Sequence, residues 1–317
     1  MTTHASLAVI VPYHNESAHL PYLLSQIHAQ TLQPCQVILV NSRSSDDSSD
    51  IIDDWIEAQS EHHRFLNLQA NTSTPGGSKT AGIEVSPCKL LAFMDCGLLF
   101  SKHWLEDQVS LLDSSGADWV SGVCRTEGTS LVDKAAIAHT YGYKRSRPVI
   151  PSSVVRRSAF DRIGHFKDLR AGYDAEWAKT SERVGLNRKV NPKVVVEYRG
   201  TNFANSLSGV FAKSLRYARP SVNRDDTFTH FIYLAVAAIG MGLFLMIPVS
   251  FAVGLLLYSV ARVALAFRRG DGVGYFIRSP LRLLTLLVVG FVMDLGKLIG
   301  FAQGSFSRYV RRVKFTH

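Results

Sequence analysis

The fold is indicated most directly by the first apolar segment of the chain, LAVIVPYHNE at residues 7–16. Its five leading apolar residues are typical of a strand buried on both faces, and Pro12, which lacks a backbone N–H, ends the run. Three similar apolar runs follow, at residues 36–40, 65–68 and 89–94. Apolar residues at helical spacing separate the first runs, at residues 17–31 and 50–59. Strands that alternate with helices predict an α/β domain with a mostly parallel sheet and helices on both faces.

Distinctive residues stand where three of these strands end. Pro12 follows the first strand, Asn41 follows the second and Asp95 follows the fourth. In open α/β sheets, ligands bind beyond the carboxyl ends of the strands. We therefore expect a ligand site at this edge of the sheet.

Two polar loops continue from these strand ends. Tyr13-His14-Asn15-Glu16 follows the first strand, and NSRSSDDS, residues 41–48, follows the second. Glu16 is open to two interpretations, a functional contact or an acid stabilised by the positive end of the next helix. The second loop is also typical of an ordinary turn and helix cap.

A glycine-rich turn, PGGSKTAG at residues 75–82, precedes a predicted short helix. Gly76 and Gly77 permit close backbone approach, and Lys79 supplies a cation suited to neutralising a diphosphate. The turn is not a P-loop, because the Gly-Lys-Ser/Thr order is absent.

Two further stretches carry charged residues at helical spacing. RAGYDAEW, residues 170–177, contains Asp174, which is either a functional acid or part of a solvated helix start. FAKSLRYAR, residues 211–219, contains Arg216 and Arg219 at i and i+3, which can present one cationic face. A plain basic helix beside a membrane is the alternative for this second stretch.

The positive charge of the chain is concentrated near its C-terminal end. The net charge is +9 at pH 7, and nine basic residues against two acids after residue 267 account for +7 of it. Basic residues beside apolar segments favour an anionic membrane surface, and no helix-turn-helix or zinc knuckle indicates nucleic-acid binding. The four cysteines form no Cys-x-x-Cys pair, so neither a metal knuckle nor a disulfide framework is expected.

The last third of the chain is strongly apolar. Residues 231–247 and 249–267 form two runs that meet at Pro248, each near the ~20 residues that a membrane-spanning helix needs. We predict a helical membrane hairpin here, with a buried pair of soluble helices as the alternative. A further run at residues 281–301 crosses the membrane, lies in its interface, re-enters it or packs inside an oligomer.

The domain prediction follows from these runs. Residues 1–225 are expected to form the α/β domain and residues 226–317 a membrane domain, with helices at about 229–247, 249–267 and 281–302 and a basic tail. Asp294 and Lys297 of the third helix are spaced to pair on one face. Because Met1–Ser6 is polar, no secretory signal is expected. The chain is therefore predicted as a multi-pass protein of the cell (inner) membrane with its first domain in the cytoplasm.

The ordered motifs resemble those of glycosyltransferase family 2, inverting enzymes with the GT-A (nucleotide-diphospho-sugar transferase, Rossmann-like) fold. Five stretches carry the resemblance, at residues 11–16, 40–48, 75–82, 93–97 and 170–177. The tail is similar to that of membrane-anchored members that assemble exopolysaccharides. The resemblance implies a glycosyltransferase of the hexosyltransferase type, acting in polysaccharide biosynthesis on a lipid-linked or growing glycan acceptor.

The resemblance also implies roles for individual residues. The nucleotide-sugar donor is expected to contact Pro12, Tyr13, Glu16, Asn41, Ser42, Lys79, Asp95, Arg216 and Arg219. Asp95 is the expected ligand of a divalent cation, Mg²⁺ or Mn²⁺, and Asp174 the catalytic base. Two departures from the family pattern bear on these roles. Asn41 and Ser42 replace carboxylates that accept the uracil imide, and Gly97 replaces the second acid of the Asp-x-Asp motif.

Three other functions remain open from the sequence. The degenerate motifs are compatible with a non-catalytic glycosyltransferase-like scaffold of a polysaccharide assembly complex. A polyprenyl-phosphate sugar synthase has a phosphate nucleophile and needs no base, so it would not depend on Asp174. A nucleotidyltransferase is disfavoured, because no Gly-rich loop bearing Lys or Arg follows the first strand.

Overall fold

The computed structural model of the protein describes residues 2–198, 203–222, 229–246 and 248–314. Packing divides the chain into two units, one of residues 1–125 and 146–199 and the other of residues 126–145 and 200–317. This division differs from the expected boundary near residue 225, which lies outside the described residues. Two helices that precede that boundary, at residues 131–140 and 207–221, pack with the C-terminal helices instead.

The described part of the first unit contains one mixed sheet of eight strands. They are β1 (Thr2–Tyr13), β2 (Leu32–Asn41), β3 (Phe65–Gln69), β4 (Leu90–Met94), β5 (Leu98–Leu99), β6 (Trp119–Arg125), β7 (Ser146–Arg156) and β8 (Arg188–Tyr198). Their order across the sheet is β3-β2-β1-β4-β7-β6-β8-β5. The first four strands are mutually parallel, which confirms the prediction for this half. β7 runs antiparallel between β4 and β6, so the whole sheet is mixed rather than mostly parallel.

Helices cover both faces of this sheet, as predicted. In chain order the described helices of both units are α1 (Leu20–His28), α2 (Ser48–Glu57), α3 (Pro75–Val85), α4 (Trp104–Ser115), α5 (Leu131–Thr140), α6 (Arg157–Ile163), α7 (Tyr173–Val184), α8 (Leu207–Ser221), α9 (Thr229–Met246), α10 (Pro248–Arg269), α11 (Val273–Ile277) and α12 (Pro280–Lys314). Along β1, Leu7, Val9 and Val11 pack against α1, α2 and α4, while Ala8 and Ile10 pack against α3, α6 and α7. The alternation follows from the two-residue period of a strand.

The second unit is helical and has its own apolar core. Side chains of α5, α10, α11 and α12 meet there, among them Ala135, Ala266, Phe276, Leu286 and Val289. The helix α8 lies along α12 at close range, since a Cβ at Gly300 would stand 2.7 Å from the carbonyl oxygen of Leu215. These contacts explain why α5 and α8 belong to this unit.

One described helix is long and apolar enough to cross a membrane, by length and composition. It is the stretch Pro280–Tyr309 of α12. The two segments predicted to cross, 229–247 and 249–267, are helical where they are described, but Ile247 lies outside the described residues. The helix α9 contains the apolar stretch Phe231–Gly242, and α10 carries the buried Arg262. Within the described part of the chain, the helix that meets this criterion is thus the third segment, whose topology the sequence left open.

Candidate functional site

A cavity of about 240 Å³ lies at the carboxyl ends of β1, β2 and β4. Five residues that the sequence predicts for donor binding line it, namely Pro12, Tyr13, Glu16, Ser42 and Asp95. The three strands are parallel neighbours, so their carboxyl ends meet at one edge of the sheet. The structure thus brings these five residues together at the edge where the sequence predicts a ligand.

The end of β1 and the turn after it supply one wall of the cavity. Tyr13 is buried, and its hydroxyl donates a hydrogen bond of 2.7 Å to Oδ1 of Asn67. Burial raises the pKa of Tyr13, so the phenol stays protonated and remains a donor. Glu16 is partly exposed, and its Oε2 lies 2.7 Å from Nδ1 of His19.

At the end of β2, the structure gives different surroundings to two residues that the sequence treats alike. Ser42 lines the cavity, and its hydroxyl lies 2.7 Å from that of Ser78. Asn41 is buried and does not line the cavity. Its Oδ1 accepts a hydrogen bond of 2.7 Å from the backbone N–H of Ser44, which fixes the loop. Asn41 therefore shapes the loop, while Ser42 faces the ligand space.

The helix α3 places a buried cation beneath Asp95. Lys79 is fully buried, and its Nζ forms an ion pair with Oδ1 of Asp95. The same Nζ lies 5.6 Å from the centre of the Tyr173 ring, within the range of a cation–π contact. The ammonium thus links the end of β4 to the start of α7.

The glycines of this region contact the protein itself. The helix α3 begins at Pro75, and the Thr74 side chain caps it by accepting a hydrogen bond from the N–H of Gly77. Gly76 lies inside the first helical turn rather than in a turn before the helix. A Cβ on Gly76 would stand 2.2 Å from the carbonyl oxygen of Lys167, so close approach is required here by the segment before α7.

The remaining predicted residues do not line this cavity. Asp174 lies in the first turn of α7 and is partly exposed, directly after Tyr173. Arg216 and Arg219 lie in α8, in the second unit, and both are exposed.

Several residues that line the cavity were given no role by the sequence patterns. They are His14, Ser73, Pro75, Cys96, Arg170 and Tyr198. Most of them stand within the motifs quoted from the sequence, and Arg170 opens the stretch that contains Asp174. Their nearness to predicted site residues was the available signal. Tyr198 ends β8, and no pattern in the sequence marks it.

The side chains present do not fit a divalent cation held by the protein. Hard divalent ions require several oxygen ligands, and at the end of β4 only Asp95 offers a carboxylate. One of its oxygens already holds Lys79, and Gly97 supplies no side chain. Burial, and then the charges of Glu16 and Asp95, raise the pKa of the Cys96 thiol well above its usual range, and sulfur is a poor ligand for a hard cation in any case. Among the residues that the structure describes, no group of three His, Cys, Asp or Glu is placed to hold a metal.

Comparison with known proteins places these features in a family. The sequence profile of "Glycosyl transferase family 2" matches residues 8–176, from β1 to the first turn of α7. The glycosyltransferase AglE of Haloferax volcanii is 24% identical over 197 residues, which is 57% of this chain and 62% of that protein. The chain therefore matches less than two thirds of that relative's length.

Two solved structures share the fold at low sequence identity. The mannosyltransferase PcManGT of Pyrobaculum calidifontis, in complex with GDP-Man and Mn²⁺, is 18% identical with a TM-score of 0.54, over 92% of this chain and 87% of that one. GalNAc-T7, with UDP, GalNAc and Mn²⁺, is 10% identical with a TM-score of 0.51, over 73% and 50% respectively. Both support the GT-A fold of the first unit. Because the family profile matches more than half of the chain, the chain belongs to glycosyl transferase family 2.

Proposed function

We propose that the protein is an inverting glycosyltransferase that moves a sugar from a nucleotide-diphosphate donor to a lipid-linked or growing glycan acceptor. One observation carries the proposal: residues of the family motifs line a single cavity at the carboxyl ends of β1, β2 and β4. The similar solved structures hold GDP-Man or UDP, which supports a nucleotide-sugar donor here. Polysaccharide biosynthesis is the process that fits such an acceptor.

The nucleoside of the donor binds against the ends of β1 and β2 and the turns that follow them. Pro12 and Tyr13 provide the wall, and Glu16 accepts hydrogen bonds from ribose hydroxyls or the base. Ser42 is neutral, so its hydroxyl offers a weaker acceptor to a uracil imide than a carboxylate does, and Asn41 does not line the cavity. We therefore expect less discrimination in favour of UDP than a carboxylate pair would give.

Chemistry requires a base near the anomeric carbon. Inversion needs the proton of the acceptor hydroxyl to be removed on the face opposite the leaving diphosphate, and Asp174 is proposed for this role. It follows Tyr173, whose ring contacts the ammonium that holds Asp95. Arg216 and Arg219 of α8 are proposed to meet phosphates of the donor or of the membrane. No step is assigned to a divalent cation, since the residues present do not fit one.

Membrane attachment is proposed through α12. Its stretch Pro280–Tyr309 has the length and composition of a membrane-spanning helix. Attachment raises the local concentration of a lipid-linked acceptor, and the catalytic unit is proposed to face the cytoplasm. A multi-pass arrangement with α9 and α10 in the membrane remains part of this proposal.

Nucleotide binding tests the proposed function without knowledge of the acceptor. Thermal unfolding of the detergent-purified chain is followed with UDP, GDP, dTDP or CDP, each with Mn²⁺ and with chelator. A nucleotide at ~100 times its Kd stabilises the folded state by about 2.7 kcal/mol. Glu16→Ala should raise the Kd of that nucleotide by about tenfold, a loss of affinity typical of one hydrogen bond to a charged group. Glu57→Ala, an exposed acid at the end of α2, is the matched control. If none of the four nucleotides stabilises the protein in either condition, the proposed function is wrong.

A further inference from the structure

The ion pair beneath the cavity bears on how the donor diphosphate is held. We propose that this site binds a nucleoside diphosphate independently of divalent cations, because Lys79 neutralises Asp95 and Gly97 omits the second carboxylate. The inference rests on the proposed function, since it concerns the same donor. It differs from the metal-assisted binding that the family resemblance implies.

The ammonium of Lys79 is fixed in place. Its side chain is fully buried in α3, and the side chain of Asp95 above it is 28% exposed. A buried charge cannot leave its partner without a large desolvation cost, so Lys79 remains bound to Asp95 when a ligand enters. A divalent cation that approaches Asp95 would therefore find its negative charge already neutralised, and it would be repelled by the Lys79 ammonium.

The position two residues after Asp95 has room for a metal ligand but lacks one. Gly97 has φ +78°, and a Cβ built there meets nothing within 4 Å. A carboxylate at this position would thus be tolerated by its surroundings, apart from the modest strain of a left-handed residue. The missing ligand is a property of the sequence and not of crowding.

Other charges at the cavity fit an anion without a metal. Arg170 lines the cavity and is exposed, so its guanidinium is accessible to a diphosphate. A guanidinium can hold phosphate oxygens through two parallel hydrogen bonds. Glu16 is the other acid on the cavity wall besides Asp95, and its carboxylate also has a partner, since its Oε2 lies 2.7 Å from Nδ1 of His19.

Titration calorimetry on the full chain in detergent tests the proposal. The Kd of the nucleotide that binds best, among UDP, GDP, dTDP and CDP, is measured with Mn²⁺ and with EDTA. For the wild-type chain we expect the two values to agree within about threefold. For Gly97→Asp we expect Mn²⁺ to tighten binding by about tenfold or more, as a second carboxylate completes a hard-ion site.

Gly97→Asn is the matched control, because it carries the same left-handed strain without a charge. It should remain as insensitive to Mn²⁺ as the wild type. Tightening of wild-type binding by tenfold or more with Mn²⁺ would overturn the proposal while leaving the proposed function intact. A Gly97→Asp variant that gains no response to Mn²⁺ would overturn the role given to Gly97. Absence of nucleotide binding in both conditions would instead reject the donor site itself.

Discussion

Two aspartates of this protein are paired with cations in contrasting ways. In the first unit, Asp95 has one cationic partner, Lys79, and lines an open cavity. In the second unit, Asp294 of α12 pairs with Arg262 at 2.8 Å and with Lys297 at 3.3 Å. The hydroxyls of Tyr233 and Tyr258 also donate to Asp294, at 2.8 and 2.9 Å.

The difference shows what each pair contributes. The Asp95 pair is neutral and lies at a ligand site, where it sets the charge that a donor meets. The Asp294 cluster joins α9, α10 and α12 and has two cations for one carboxylate, so it retains one positive charge. Asp294 is bound by four side chains that come from three helices, so the cluster stabilises the packing of the helical unit. One residue type thus serves binding in one unit and assembly in the other.

The largest effect is expected when the centre of the helical cluster is removed. Asp294→Asn leaves Arg262 and Lys297 without their carboxylate, and breaking a buried pair costs about 3–5 kcal/mol. We expect the Tm of the detergent-purified chain to fall by roughly 10 °C. Asp271→Asn changes an exposed acid of the same unit and should leave the Tm nearly unchanged. If the Tm of Asp294→Asn equals that of this control, the cluster does not stabilise the helical unit.

A smaller loss is expected at the cavity, where one cation is involved. Asp95→Asn leaves the Lys79 ammonium buried and unpaired, at a cost of about 3 kcal/mol. Adding Lys79→Met should recover most of that loss, since replacing both charges of a buried pair is often near neutral. Thermal unfolding of the two single variants and the double variant gives the interaction energy between Lys79 and Asp95. Asp54→Asn, on the exposed face of α2, is the control. Additive effects of the two substitutions would contradict the ion pair.

The smallest effect is expected at an aspartate that has neither burial nor a cation. Hydrogen bonds from Ser48 and Ser17 lower the pKa of Asp46 from 3.8 to about 2. A lowered pKa in the folded state stabilises it above the unfolded pKa, and this stability is lost as pH falls from 3.8 to about 2. Asp46→Asn should therefore lose less Tm than the wild type over that interval. Parallel Tm curves for the two proteins would exclude the contribution of Asp46.

The first half of the sheet was predictable because its signals are local. The apolar runs of β1 to β4 and the residues at their ends can be read directly from the sequence. The antiparallel half was not, because β7 enters the sheet between β4 and β6 and its pairing depends on distant segments. Asn41 shows a second limit. Its side chain binds the loop that follows β2 while Ser42 faces the cavity, and no pattern in the sequence distinguishes these two neighbours.

The ion pairs were predictable only in part. The spacing of Asp294 and Lys297 predicts their contact, because residues at i and i+3 share a helix face. Arg262 lies on another helix, and its place in the cluster depends on how α10 packs against α12. Lys79 was predicted to face a diphosphate, but the α3 geometry buries it beneath Asp95. Such partners depend on tertiary packing, and the periodicity of one segment does not predict how that segment packs against others.

The central claim, transfer of a sugar with Asp174 as base, is tested most directly by a transfer assay. Membranes that contain the full chain are incubated with radiolabelled nucleotide sugars. Their nucleotide is the one that stabilises the protein in the thermal unfolding experiment, and the label in the lipid and glycan fractions is counted. We expect transfer by the wild type and by Glu182→Gln, an exposed acid of α7. Asp174→Asn should lose roughly 10²–10⁴-fold in rate while keeping its nucleotide Kd. Full activity of Asp174→Asn, or no transfer from any donor by the wild type, would contradict the account.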